Sequence, residues 1–143
     1  MRVLIFSQKF KEIDAELIQQ LISKLRRSKF EVFVHEYNQN ENSIQFIPAL
    51  KKVQQISTKE ELVSNQIDFV LTLGGDGTIL KASSFVAKTQ KPIIGINLGR
   101  LGFLSIVEKT KIDEAIDKIK KGAYTIESRS MLKLESNKQL FKD

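Results

Sequence analysis

The chain has 143 residues, 41% hydrophobic and 28% charged, with net charge +6, two prolines and no cysteine. That length makes one ordinary domain with room for a core, and the missing cysteine excludes disulfides and thiolate metal sites. The apolar stretch Val3 to Phe6 is too short for a signal-peptide core. Nothing approaches the roughly 20 apolar residues of a membrane span, so a cytoplasmic protein that does not enter membranes is expected. The positive balance favours polyanionic partners. The lysines are scattered, however, with no arginine-rich arm and no aromatic ladder for stacking bases, so a solvated surface is expected and nucleic acid is not.

Val3 to Phe6 reads as a buried strand. Ile13, Leu17, Ile18, Leu21, Ile22 and Leu25 then recur at helical spacing and predict one apolar stripe. Phe30 to Val34 reads as a second strand, and the run Asn38 to Ser43 as an exposed polar loop. Residues 44–56 predict an irregular or partly helical connection. Thr58 with Glu61 forms a capping box for a short helix.

Ile67 to Leu73 is the strongest strand pattern. A helix follows over Thr78 to Ala87, with Ile79, Leu80, Ala82, Phe85 and Val86 on its buried side. Pro92 introduces another short strand at Ile93 to Ile96. Thr110 with Asp113 predicts a second capping box, opening a helix that ends at Gly122. Tyr124 to Glu127 and Met131 to Glu135 read as further strands. This alternation predicts an α/β domain: a Rossmann-like open, mostly parallel sheet with helices on both faces. The expected division is 1–123 for that domain and 124–143 for the start of a connection into a second, β-rich one.

Chemistry concentrates in two loops, each following a strand end, where α/β sheets bind ligands. The first is Gly74-Gly75-Asp76-Gly77-Thr78. Glycines let a backbone approach anionic oxygens, and the helix N-terminus behind them offers unpaired N–H groups and a positive dipole end. Asp76 repels phosphate, which points to metal contact or proton acceptance; the plainer alternative is a helix N-cap. The loop is neither a Walker A motif nor a Gly-x-Gly-x-x-Gly fingerprint. The second loop is Asn97-Leu98-Gly99-Arg100-Leu101-Gly102-Phe103-Leu104. Its Arg100 is a candidate for phosphate, and Phe103 for either core or a base.

Together these residues resemble the NAD kinases. The match runs through Leu73-Gly74-Gly75-Asp76-Gly77-Thr78-Ile79-Leu80-Lys81-Ala82 and Gly95-Ile96-Asn97-Leu98-Gly99-Arg100-Leu101-Gly102-Phe103-Leu104, with a weaker element at Arg129-x-x-Leu132. The first loop is shared with lipid kinases; the second is much more specific. The resemblance implies transfer of a phosphoryl group from ATP or polyphosphate to the adenosine-ribose 2′-hydroxyl of NAD, giving NADP. It assigns Asp76 as proton acceptor and Gly77 and Lys81 as nucleotide contacts, Lys81 an auxiliary one; Gly75, Gly77 and Thr78 are read as the phosphate cradle, and Gly74 as a further cofactor-binding residue. Asn97, Gly99 and Phe103 would line the dinucleotide pocket. It further implies Mg²⁺ bridging the phosphates and a homo-oligomer.

The family continues into a mostly β domain whose Asn-Glu pair holds the nicotinamide ribose. No such dipeptide occurs downstream of the glycine loops, so this sequence is expected to be the N-terminal part. Two rival readings are a nucleotide-binding module without turnover and a lipid kinase of the diacylglycerol type. The lipid kinase would carry a loop resembling Gly-Thr-x-Asn-Asp, where this chain has Asn97-Leu98-Gly99-Arg100.

Overall fold

The computed structural model describes residues 1–37, 45–100 and 102–132. It has six strands: β1 (Arg2–Ser7), β2 (Glu31–Glu36), β3 (Gln54–Gln55), β4 (Phe69–Leu73), β5 (Ile93–Asn97) and β6 (Val107–Glu108). Its four α-helices are α1 (Ala15–Arg27), α2 (Lys59–Ser64), α3 (Asp76–Val86) and α4 (Ile112–Lys120). All neighbouring strands pair in parallel, in the order β3-β2-β1-β4-β5-β6. Val3 of β1 lies opposite both Val32 of β2 and Phe69 of β4, so β1 and β4 are covered at both edges and on both faces. That is why their sequences are unbroken apolar runs rather than alternating ones.

The chain winds outward from β1 to β3, returns to β4 beside β1, and winds outward again to β6. This is the doubly wound order, with its direction reversing between β1 and β4, and ligands bind outside the strand ends at such a reversal. Two hydrophobic clusters hold the layers. On one face α1 and α4 bury Ile18, Leu21, Ile22, Leu25, Ile112, Ile116 and Ile119 against Val3, Ile5 and Leu71. On the other, α2 and α3 contribute Leu62, Ala82 and Val86 over Leu4, Phe6 and Val70. Each fully buried Leu or Ile contributes about 1.5–3 kcal/mol.

The Thr58–Glu61 capping box forms, with both reciprocal bonds present. The box expected at Thr110 does not. A short 3-10 turn over Lys109–Lys111 precedes α4, and no side chain caps the helix. Thr110 Oγ1 instead lies 3.5 Å from Glu108 Oε2. Gly122 ends α4 at φ +67°, the left-handed position that favours glycine.

The stripe of α1 begins later than expected. Ile13 sits in a 3-10 turn before the helix and is 88% exposed. Leu80 of α3 is 59% exposed because it lies off the face carrying Thr78, Ala82 and Val86. Residues 45–56 hold a 3-10 turn at Pro48–Lys52 and the two-residue β3. Tyr124 to Glu127 forms no strand: the segment is exposed and pairs with no strand of the sheet. The polar loop expected from Asn38 to Ser43, and residues 133–135, lie outside the described residues.

Candidate active site at the sheet switch point

The first glycine loop leaves β4 at its carboxyl end and turns directly into α3. Gly74 makes the turn at φ +147°. A Cβ there would also stand 2.3 Å from Thr78 Oγ1, so Gly74 makes room for the threonine beneath it. Thr78 is buried, and its hydroxyl accepts a hydrogen bond from Gln8 Nε2 at 3.3 Å. Gln8 follows β1, on the far side of the topological switch, so this contact ties the two central strand ends together.

Gly75 is the N-cap of α3, and no side chain caps that end. Asp76 is the first helical residue and not the cap. Its carboxylate reaches across to the second loop. Oδ2 accepts the N–H of Phe103 at 2.8 Å, and Oδ1 accepts those of Leu104 at 3.0 Å and Ser105 at 2.9 Å. The Ser105 N–H first, then those of Phe103 and Leu104, hold the Asp76 carboxyl below the usual carboxylate range. Gly102 sits so close that a Cβ would fall 2.3 Å from Oδ1. That glycine is required by the carboxylate.

The second loop folds upon itself through Asn97, the buried last residue of β5. Its side-chain oxygen accepts from Gly99 N–H at 2.8 Å, and its amide donates to the carbonyls of Arg100 at 2.6 Å and Ser105 at 3.3 Å. Ser105 is fully buried, and its hydroxyl donates to the Gly74 carbonyl at 2.9 Å. The two loops therefore form one body, joined by four hydrogen bonds through Asp76 and Ser105. Three positions on its outer side stay open: nothing lies within 4 Å of where a Cβ would be at Gly75 or Gly99, and Gly77 has only Gln8 Nε2 at 3.5 Å.

The pattern of the ATP-NAD kinase N-terminal domain matches residues 3–124. The chain belongs to the NAD kinase family. Among relatives, the NAD kinase of Christiangramia forsetii is 31% identical over 141 residues, covering 96% of this chain and 46% of that protein. The NAD kinase of Clostridium kluyveri is 41% identical over 88 residues, covering 62% of this chain and 31% of that protein. Among solved structures, yeast NADH kinase crystallised with NADH superposes with a TM-score of 0.61 at 26% identity, covering 85% of this chain and 38% of that one. The chain thus spans a third to a half of the length of these kinases.

Of the residues expected from the family, Gly74, Gly75, Asp76, Gly77 and Thr78 lie on the first loop and Asn97, Gly99 and Phe103 on the second, and the two loops are hydrogen-bonded together. Thr78 and Asn97 face inward, engaged in holding the loops. Phe103 is 95% exposed and is not core. Lys81 stands apart: its ammonium lies 4.0 Å from the centroid of the Tyr37 ring, beyond the end of β2, a cation–π contact. Among the described residues no three His, Asp or Glu side chains cluster to hold a metal ion.

Gln8 and Ser105 were not singled out from the sequence, and Gly102 was read only as allowing close backbone approach. Gln8 had a readable signal, being the first residue beyond a buried strand at the ligand-binding end of the sheet. Ser105 had none.

Proposed function

We propose that this chain is the nucleotide-binding half of an NAD kinase, acting in the cytoplasm on ATP or polyphosphate and NAD to form NADP. The observation that carries the reading is the open side of the joined loops. Three glycines are shaped by internal contacts, at Gly74, Gly95 and Gly102, but Gly75 and Gly99 have empty space where a side chain would be. Among the described residues no side-chain contact accounts for them. Beside the uncapped N-terminus of α3 they leave a surface on which phosphate oxygens can approach the backbone closely and meet the positive helix end.

In the reaction the 2′-hydroxyl oxygen of NAD bonds to the γ-phosphorus of ATP, the bond from that phosphorus to the β-γ bridging oxygen breaks, and ADP leaves. The hydroxyl proton goes to Asp76. A carboxylate held below its usual range is a weak base, so it takes the proton late, and positioning supplies most of the acceleration. Asp76 accepts three backbone N–H groups, and among the described residues no acidic cluster surrounds it. Mg²⁺ would arrive with the donor phosphates and help to neutralise their charge.

The test is NADP formation by the purified 143-residue chain from NAD, ATP and Mg²⁺, beside Asp76→Asn. Turnover lost in the variant, with ATP binding retained, supports the assignment; turnover retained refutes the proton-acceptor role. The second reading, a binding half that turns over only with further sequence, is favoured by the chain's span relative to these kinases. It predicts nucleotide binding without NADP formation.

A further inference from the structure

We propose that Ser105 is a positioning residue that fastens the first glycine loop on both sides of Gly75 and leaves a single carboxylate oxygen of Asp76 open to substrate. The proposal rests on the kinase reading only where it concerns substrate.

Ser105 hydrogen-bonds to the loop on both sides of Gly75. Its N–H reaches Asp76 Oδ1 at 2.9 Å, and its hydroxyl reaches the Gly74 carbonyl at 2.9 Å. Ser105 itself is fully buried, while its partners Gly74 and Asp76 are half-buried. Gly95 of β5 lies directly beneath, where a Cβ would come within 2.8 Å of Ser105 Cα, so the residue is pressed against the sheet. The hydroxyl has an accepting side as well, but its hydrogen is committed to Gly74.

The two Asp76 oxygens are consequently unequal. Each carboxylate oxygen offers about two lone-pair directions. Oδ1 uses both, on Leu104 and Ser105, whereas Oδ2 uses one, on Phe103. A substrate hydroxyl therefore approaches Oδ2, from the side of the exposed Phe103. When the transfer occurs, its O–H bond breaks and an O–H bond to Oδ2 forms, while Oδ1 keeps the loop in place. The arrangement lets one carboxylate hold a loop and accept a proton without releasing the loop first.

The test is an NMR titration of the Asp76 carboxyl carbon in the wild-type chain and in Ser105→Ala, with NADP formation measured in parallel. The variant keeps the backbone N–H but loses the hydroxyl fastening. Expected results are a titration below the ordinary aspartate range in the wild type and one shifted upward in Ser105→Ala. A general loss of stability would not move the titration of the molecules that remain folded. An ordinary wild-type value, or an unmoved one in the variant, overturns the proposal. If Ser105→Ala does not fold, Ser105→Cys, similar in size with a weak donor, replaces it under the same two outcomes. If the wild type forms no NADP, the turnover reading fails separately, and the titration still decides the role of Ser105.

Discussion

Replacing Gly95 by alanine probes the seat of the second loop without touching the ligand side. Gly95 pairs with Thr72 of β4 in the middle of the sheet. The added methyl would stand 2.4 Å from Ile79 Cδ1, 2.8 Å from Ser105 Cα and 3.0 Å from Ser105 Oγ. Ile79 yields by rotating its terminal methyl. Ser105 Cα is backbone, held between the bonds to Asp76 and Gly74, and the strain collects there. Overpacking of this kind costs about 1–3 kcal/mol. The loss of unfolded-chain freedom on Gly→Ala offsets about 0.4–1 kcal/mol. A net loss of about 1–2 kcal/mol remains, which lowers the urea midpoint by about 0.5–1 M at an m-value of about 2 kcal/mol/M. Gly99→Ala is the matched control, since among the described residues nothing lies within 4 Å of its new methyl; with no clash to oppose the unfolded-chain effect, its stability should be unchanged or raised by up to about 1 kcal/mol. The assay is equilibrium urea unfolding of all three proteins, followed by far-UV circular dichroism. Equal midpoints for the two variants would refute the reasoning, because the distinction between internally shaped and open glycines would then have no energetic content.

Two further outcomes follow from buried polar groups. Thr72 Oγ1 is buried in β4 with no hydrogen-bond partner among the described residues, and an orphaned hydroxyl of this kind costs about 1–3 kcal/mol. Thr72→Val should therefore raise the calorimetric midpoint by about 3 °C per kcal/mol regained; a lowered midpoint would show that the hydroxyl is satisfied. His35 is buried between Phe6 and Phe85, at ring-centroid distances of 4.8 and 4.3 Å, and its Nδ1 donates to the Ile56 carbonyl. Burial lowers its pKa, against opposing contributions from the Ile56 bond and the Glu36 charge. With the folded value below the unfolded one, the unfolded chain binds the proton first. Stability should thus be complete above the unfolded pKa of about 6.5 and decline as pH falls below it. Unfolding midpoints measured from pH 7.5 to 5 should show that slope, and His35→Gln should flatten it.

The architecture was legible because its signals are local. Val3 to Phe6 and Ile67 to Leu73 are apolar runs bounded by polar residues, and only strands covered on both faces are written that way. Thr58 and Glu61 announced α2 because a capping box involves residues three apart. Thr110 and Asp113 have the same spacing and failed, since a 3-10 turn already occupied the start of α4 and shifted the first helical residue to Ile112. Asp76 was readable as the odd residue of its loop, yet its hydrogen-bond partners lie 27 to 29 positions away. No local pattern carries a contact of that separation, and for the same reason Ser105 passed for an ordinary loop serine. Tyr124 to Glu127 shows the reverse failure: its alternation suits a strand, but a strand needs a neighbour, and the sheet ends at β6.

The sheet's two margins bear on how copies of this chain behave in concentrated solution. The outermost strands, β3 and β6, are each two residues long. Lys51 and Lys52 stand just before β3, and Lys109 and Lys111 just after β6. Short margins flanked by lysine deny another chain the row of free N–H and C=O groups on which edge-to-edge stacking and fibril growth begin. The long apolar strands that would template such growth, β1 and β4, are enclosed on either side by their neighbours. Among the described residues the sheet thus offers little to an added strand, the kind of contact that sets no limit on the number of copies.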